Sequence, residues 1–180
     1  MAAPATPSAA AVGGPGGVTI CRPDVDDGVD CWRLAANTRV LDVNSRYAYL
    51  LWFRDFAATS IVAKAGDAVI GFVTGYRRPD ELHTLVVWQV AVAEEARGCG
   101  LGAAMLDGLF GAVPDADHLE ATITPDNSGS IALFTAFADR NRADIRRSEL
   151  FGPELLGASH EPEILFRIGP VERRNPWDEG

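Results

Sequence analysis

The sequence predicts one domain of the α/β or α+β class, built on a single mixed sheet. Three observations lead there. The chain has 180 residues, 47% of them hydrophobic, which suits one well-filled core better than two small ones. Its apolar runs follow the order β-α-α-β-β-β-α-β-α-β-β, mixing hairpin-linked strands with crossover helices; a doubly wound fold would alternate strand and helix throughout. The third is a junction at residues 88–110, WQVAVAEEARGCGLGAAMLDGLF, where an apolar strand gives way to spaced glycines and then to a helical period.

Residues 1–17 are almost wholly Ala, Pro, Gly, Ser and Thr and read as a disordered tail, without the basic start and dense apolar stretch of a secretory signal. The domain is expected over residues 18–169, and the charged residues 170–180 as a second loose end. Residues 18–22 read as a first strand. Asp24 suits the cap of a helix running to about Thr38, with acids in its first turn. A break at 41–45 precedes an apolar helix over 46–57. Residues 60–65 and 68–76 form a hairpin across the Gly66-Asp67 turn. After a turn at 77–81 comes the long Val-rich strand, 83–93, and then a helix over 100–113. A strand at 119–124 leads through TPDNSGS to a helix over 128–140, and two strands close the domain near 145–150 and 163–168.

Bulk chemistry excludes several partners. A formal net charge of −9 repels nucleic acid phosphates and anionic membranes. No apolar run reaches the ~18 residues of a membrane span. Cys21, Cys31 and Cys99 are odd in number and lack metal-ligand spacing, which points to a reducing cytoplasm and to no metal.

The glycines at 98, 100 and 102 stand where a helix starts, an expensive place for them. The first amides of a helix are unpartnered and carry the positive end of its dipole, so they bind phosphate, and glycine lets the backbone approach it closely. Arg97 adds a fixed positive charge. ARGCGLG is thus read as a pyrophosphate cradle, against the plainer reading of a tight connection. It is not a Walker loop, since Ala103-Ala104 follow where Lys and Ser/Thr belong, and its G-x-G-x-G spacing is not that of the dinucleotide fingerprint.

Arg97-x-x-Gly100-x-Gly102 directly after a long strand resembles the acyl-CoA-binding motif of the GNAT superfamily of N-acyltransferases, whose element order also matches. The resemblance implies acetyl-CoA as co-substrate, held by Arg97, Gly98, Cys99, Gly100, Leu101 and Gly102. It implies that the backbone at Val90 and Val92 pairs with the pantetheine arm, that an amide near Val90 or Ala91 polarises the thioester carbonyl, and that Asn127 lies by the arm at the start of the next helix. Many members carry a tyrosine seven residues after that asparagine. Here it is Phe134, able to pack against the arm but not to protonate a thiolate.

The segments LDVNSRYAYLLWFRDFA (41–57), IGFVTGYRRPD (70–80), LVVWQVAVAEEARGCGLGAAMLD (85–107), TITPDNSGSIALF (122–134) and HEPEILFRI (160–168) together resemble the L-2,4-diaminobutyrate acetyltransferases of ectoine biosynthesis. The resemblance implies acetylation of the 4-amino group of L-2,4-diaminobutyrate and a homodimer; the aromatics of 46–57 exceed what one helix face can bury. Only the neutral amine attacks a thioester, so the site must accept a proton and grip the second ammonium. Asp42 and Glu163 suit the grip, Tyr47 and His160 can join by hydrogen bonding, and Trp88 can wall the pocket or lie against an ammonium. Glu163, His160 or an ordered water can serve as base. Each also has a plainer reading: Asp42 as a turn residue, Glu163 and His160 as solvated residues, Tyr47 and Trp88 as core aromatics. A GNAT enzyme for another amine and a non-catalytic acetyl-CoA sensor remain the alternatives.

Overall fold

The computed structural model describes residues 12–38, 41, 43–157 and 159–172. In chain order the strands are β1 (Val12–Gly13), β2 (Thr19–Cys21), β3 (Ile61–Ala65), β4 (Ala68–Arg78), β5 (Glu81–Val92), β6 (His118–Ile123), β7 (Ile145–Phe151) and β8 (Glu163–Ile168). The helices are α1 (Asp27–Thr38), α2 (Arg46–Asp55), α3 (Leu101–Ala112), α4 (Ser128–Asn141) and α5 (Pro153–Leu156). The chain divides into two compact units, Met1–Thr74 with Gln89–Leu109, and Gly75–Trp88 with Phe110–Gly180, so β4, β5 and α3 each run through both.

In the first unit the strand order is β1-β2-β3-β4-β5, with β1 to β4 antiparallel. The helices α1 and α2 close over Val62, Phe72, Ala91 and Ala93 with Cys31, Leu34, Ala35, Tyr49 and Phe53. These fall at helical spacing on α1 and α2, so each helix turns one apolar stripe inward. Ser45 caps α2, its hydroxyl accepting from the Ala48 N–H. Gly71 packs closely under α3: a Cβ there would stand 2.9 Å from the Met105 thiomethyl, which would have to shift.

In the second unit the order is β4-β5-β6-β8-β7. β5 and β6 are parallel, joined through a helix as parallel strands must be, and β6/β8 and β8/β7 are antiparallel. Leu119, Ala121 and Ile123 alternate with more polar positions and pair with Ile168, Phe166 and Ile164. Phe134, Phe137 and Ala138 form the buried stripe of α4, and Phe137 meets Phe110 edge-on at 5.4 Å.

Several expectations are corrected. Val12–Gly13 pairs with β2, so residues 12–17 do not belong to a tail; residues 1–11 lie outside the described set. Val171 is buried and its N–H donates to the Asp117 carbonyl at 2.7 Å, so the chain is anchored through that residue, with 173–180 outside the described set. The turn expected at 77–81 shrinks to Pro79-Asp80, because Arg77, Arg78 and Glu81 find partners that extend the strands. Asp24 stands at the entry to α1, its carbonyl accepting from the Asp27 N–H at 3.1 Å, but the side chain bonding there is that of Asp27, whose carboxylate accepts from the Asp24 N–H at 2.9 Å and pairs with Lys64 at 2.6 Å. The short helix α5 falls between the last two strands, where none was expected.

Candidate active site

The junction after β5 is built by backbone conformation. A 3-10 turn at Glu94–Ala96 follows the strand, then Arg97, Gly98 at φ +76°, Cys99 and Gly100 at φ +80°, before α3 begins at Leu101. Residues with a Cβ rarely adopt such φ values, so the chain needs glycine at both positions. A Cβ at either would meet nothing within 4 Å. The requirement is therefore conformational, and the space above the turn stays open for a ligand. Leu101 is buried to 2% exposure and pins the helix start, while Gly102 lies in its first turn. The Cys99 thiol is exposed and donates to the Ala96 carbonyl.

Arg97 is tied to the strand it follows. Its Nε donates to the Val92 carbonyl at 3.2 Å, leaving the terminal nitrogens of the fork to face a ligand. Val92 and Arg97 also line a cavity of about 760 Å³, together with Asp30, Arg33, Glu94 and Glu95 among others. Three carboxylates against two guanidiniums make its wall a poor seat for a polyanion. The glycine turn, at the start of α3 with Arg97 just before it, has the better chemistry for one.

The direction of the β5 backbone follows from two bonds. The Gln89 N–H donates to Thr74 Oγ1 and the Ala93 N–H to the Ile70 carbonyl at 2.8 Å, both on β4. Successive peptides of a strand point to opposite edges, so the Val90 and Val92 N–H groups turn away from β4. Of the two amides considered at the thioester, Val90 has the free direction and Ala91 does not.

In the second unit the register gathers four of the expected residues at one end of the sheet. Trp88, 45% exposed, follows the last β5/β6 pair, Val87 with Ala121. Glu163 opens β8 one residue beyond the Ile123/Ile164 pair. His160 stands exposed in the bend before β8, with Nδ1 3.1 Å from the Glu161 carbonyl. Asn127 caps α4, its Oδ1 accepting from the Ser130 N–H at 3.0 Å. The carboxyl end of β6 and the amino end of β8 coincide, and ligands of open sheets bind at carboxyl strand ends. Phe134 is 3% exposed in the α4 core stripe, so its ring serves packing and offers almost no surface to a ligand.

Tyr47 sits in the first turn of α2, 69% exposed, and not in the core. Asp42 lies outside the described residues. Sequence reasoning missed Tyr49, whose hydroxyl donates to Gln89 Oε1 at 2.9 Å from forty residues away; burial raises its pKa, keeping the phenol a donor. Among the described residues no three His, Cys, Asp or Glu side chains are placed to hold a metal, and no helix is long and apolar enough to cross a membrane.

Comparison with known proteins agrees with this geometry. The acetyltransferase (GNAT) family pattern matches residues 28–138. An L-2,4-diaminobutyric acid acetyltransferase of Streptomyces avermitilis is 51% identical over 162 residues, covering 87% of this chain and 90% of the relative. The protein of that name from Streptomyces coelicolor is 52% identical over 157 residues, covering 84% and 92%. Among solved structures, diaminobutyrate acetyltransferase EctA of Paenibacillus lautus, in complex with its substrate L-2,4-diaminobutyric acid and coenzyme A, superposes with a TM-score of 0.83 at 35% identity, covering 88% of this chain and 98% of that one. From its glycine turn to its sheet, this chain belongs to the GNAT acetyltransferase family and groups within it with the diaminobutyric acid acetyltransferases.

Proposed function

We propose that the protein transfers the acetyl group of acetyl-CoA to the 4-amino group of L-2,4-diaminobutyrate, giving the 4-acetamido acid of ectoine biosynthesis. The observation that carries this reading is the 35% identity, over 88% of the chain, to an enzyme whose structure holds both diaminobutyric acid and coenzyme A. The glycine turn and Arg97 hold the pyrophosphate. The Val90 and Val92 backbone aligns the pantetheine arm, Asn127 is assigned to the same coenzyme, and the Val90 N–H takes charge developing on the thioester oxygen. For the amine this reading assigns Glu163, His160, Tyr47, Trp88 and Asp42, with the carboxylates to hold the second ammonium.

The neutral 4-amine attacks the carbonyl carbon, an N–C bond forms as the C–S bond breaks, and coenzyme A leaves as thiolate. The amine proton passes to Glu163, His160 or water. Phe134 has no proton to give, so another group or water protonates the thiolate. The protein works in the cytoplasm as a homodimer; support for the dimer is the exposed apolar surface of α2 and its end, where Tyr47 is 69% and Phe56 40% exposed while Tyr49 and Phe53 fill the core.

The test is coenzyme A release across an amine panel, followed by thiol detection. Diaminobutyrate is expected to react at least about tenfold faster than putrescine or lysine. Equal rates would assign another amine, and tight acetyl-CoA binding without turnover on any amine would make the protein a sensor.

A further inference from the structure

A buried chain of hydrogen bonds runs from α2 to β4 through one residue of β5. Tyr49 Oη donates to Gln89 Oε1 at 2.9 Å, and the Gln89 backbone N–H donates to Thr74 Oγ1 at 3.2 Å. Tyr49 is 3%, Gln89 6% and Thr74 1% exposed. Tyr49 belongs to an apolar cluster with Cys31, Leu34, Phe53, Val62, Phe72 and Ala91. Polar groups in such a place gain little net stability over apolar groups of equal shape, because each bond only repays lost hydration. What they supply is direction. Gln89 is gripped twice, at its main-chain nitrogen by Thr74 and at its side chain by Tyr49, whose ring is itself wedged edge-on against Phe72 at 6.0 Å between centroids. The next peptide along the strand carries the Val90 N–H, turned to the other edge. A donor that stabilises developing charge must be held in place before the charge appears, within ~2.7–3.1 Å of the oxygen.

We infer that Tyr49, Gln89 and Thr74 are positioning residues for acetyl transfer, clamping β5 so that the Val90 N–H is aimed at the thioester oxygen. This rests on the acetyltransferase reading above. None of the three touches substrate; they act through the Val90 peptide. Thr74→Val removes the hydroxyl at nearly constant volume, Tyr49→Phe removes one oxygen and keeps the ring, and Thr74→Ser keeps the hydroxyl.

The test uses acetyl-CoA labelled with carbon-13 at the thioester carbonyl, bound to the full-length protein and read by difference infrared spectroscopy. In the wild type the carbonyl stretch is expected to fall below that of free acetyl-CoA. In T74V and Y49F at least about half of that shift is lost and kcat falls about tenfold, while KM for acetyl-CoA stays within about twofold and the melting temperature within a few degrees. T74S restores both shift and kcat. The inference is overturned if the wild type shows no shift, if T74V and Y49F keep the wild-type shift and kcat, or if their kcat falls only along with acetyl-CoA binding and melting temperature. Should T74V fail to fold, Y49F carries the test alone. The infrared signal needs no amine, so a wild type that shifts the carbonyl yet ignores diaminobutyrate would sink the substrate reading and leave this one standing.

Discussion

Arg97, Gly98 and Gly100 show what a few residues can settle. Two positive φ values demand glycine, the space beyond them is open, and the arginine is moored to Val92 with its fork free. The phosphate side and the amine side are chemically separate, so their variants should fail differently. Arg97→Ala is expected to raise KM for acetyl-CoA about tenfold or more, the loss of a charge-assisted contact, with KM for the amine little changed. Alanine at both Asp42 and Glu163 is expected to abolish transfer while leaving acetyl-CoA affinity within about twofold. Steady-state kinetics with calorimetric acetyl-CoA titration reads both, and a reversed pattern would dissolve the assignment. The glycine turn was legible because conformation and spacing are local. Phe134, expected to pack against the coenzyme arm, is buried in the α4 stripe, and a helix position about two turns in does not by itself say which face the sheet takes.

At the scale of elements, the strands of the second unit are tied by charge as well as by ladder bonds. Glu120 of β6, 4% exposed, accepts from Arg78 of β4 at 3.1 Å and from Arg167 of β8. Arg167 also pairs with Glu81 at the start of β5 at 2.7 Å. The hydrogen bond from Arg167 lowers the Glu81 pKa. With a folded pKa below the unfolded one, the stabilisation is complete above the unfolded value, ~4.3, and is lost as pH falls through the folded value. Glu81→Gln is therefore expected to lower the melting temperature slightly at neutral pH and to converge on the wild type as pH falls through the folded value; curves that stay parallel throughout would argue against the link. This network also explains the 77–81 error. RRPDE has turn composition, but Arg78 and Glu81 have partners on β6 and β8 and Arg77 bonds the Leu82 carbonyl across the turn, which leaves only Pro79-Asp80 as the turn.

For the whole molecule, the apolar surface left on α2 has its test in sedimentation: a species of twice the 19.2 kDa chain mass is expected at micromolar concentration, and a lone chain mass would remove the dimer. By itself the sequence determined the order and kind of nearly every element, the glycine turn and the family chemistry, because periodicity, turn residues and motif spacing are properties of neighbours. Only the tertiary structure decided the pairing of β1, the direction of the Val90 amide away from β4, and the burial of Phe134. It also brought Trp88, Asn127, His160 and Glu163 to one sheet end and Tyr49 to Gln89. Those are matters of register, of backbone direction and of contact across forty residues or more, which a linear pattern does not encode.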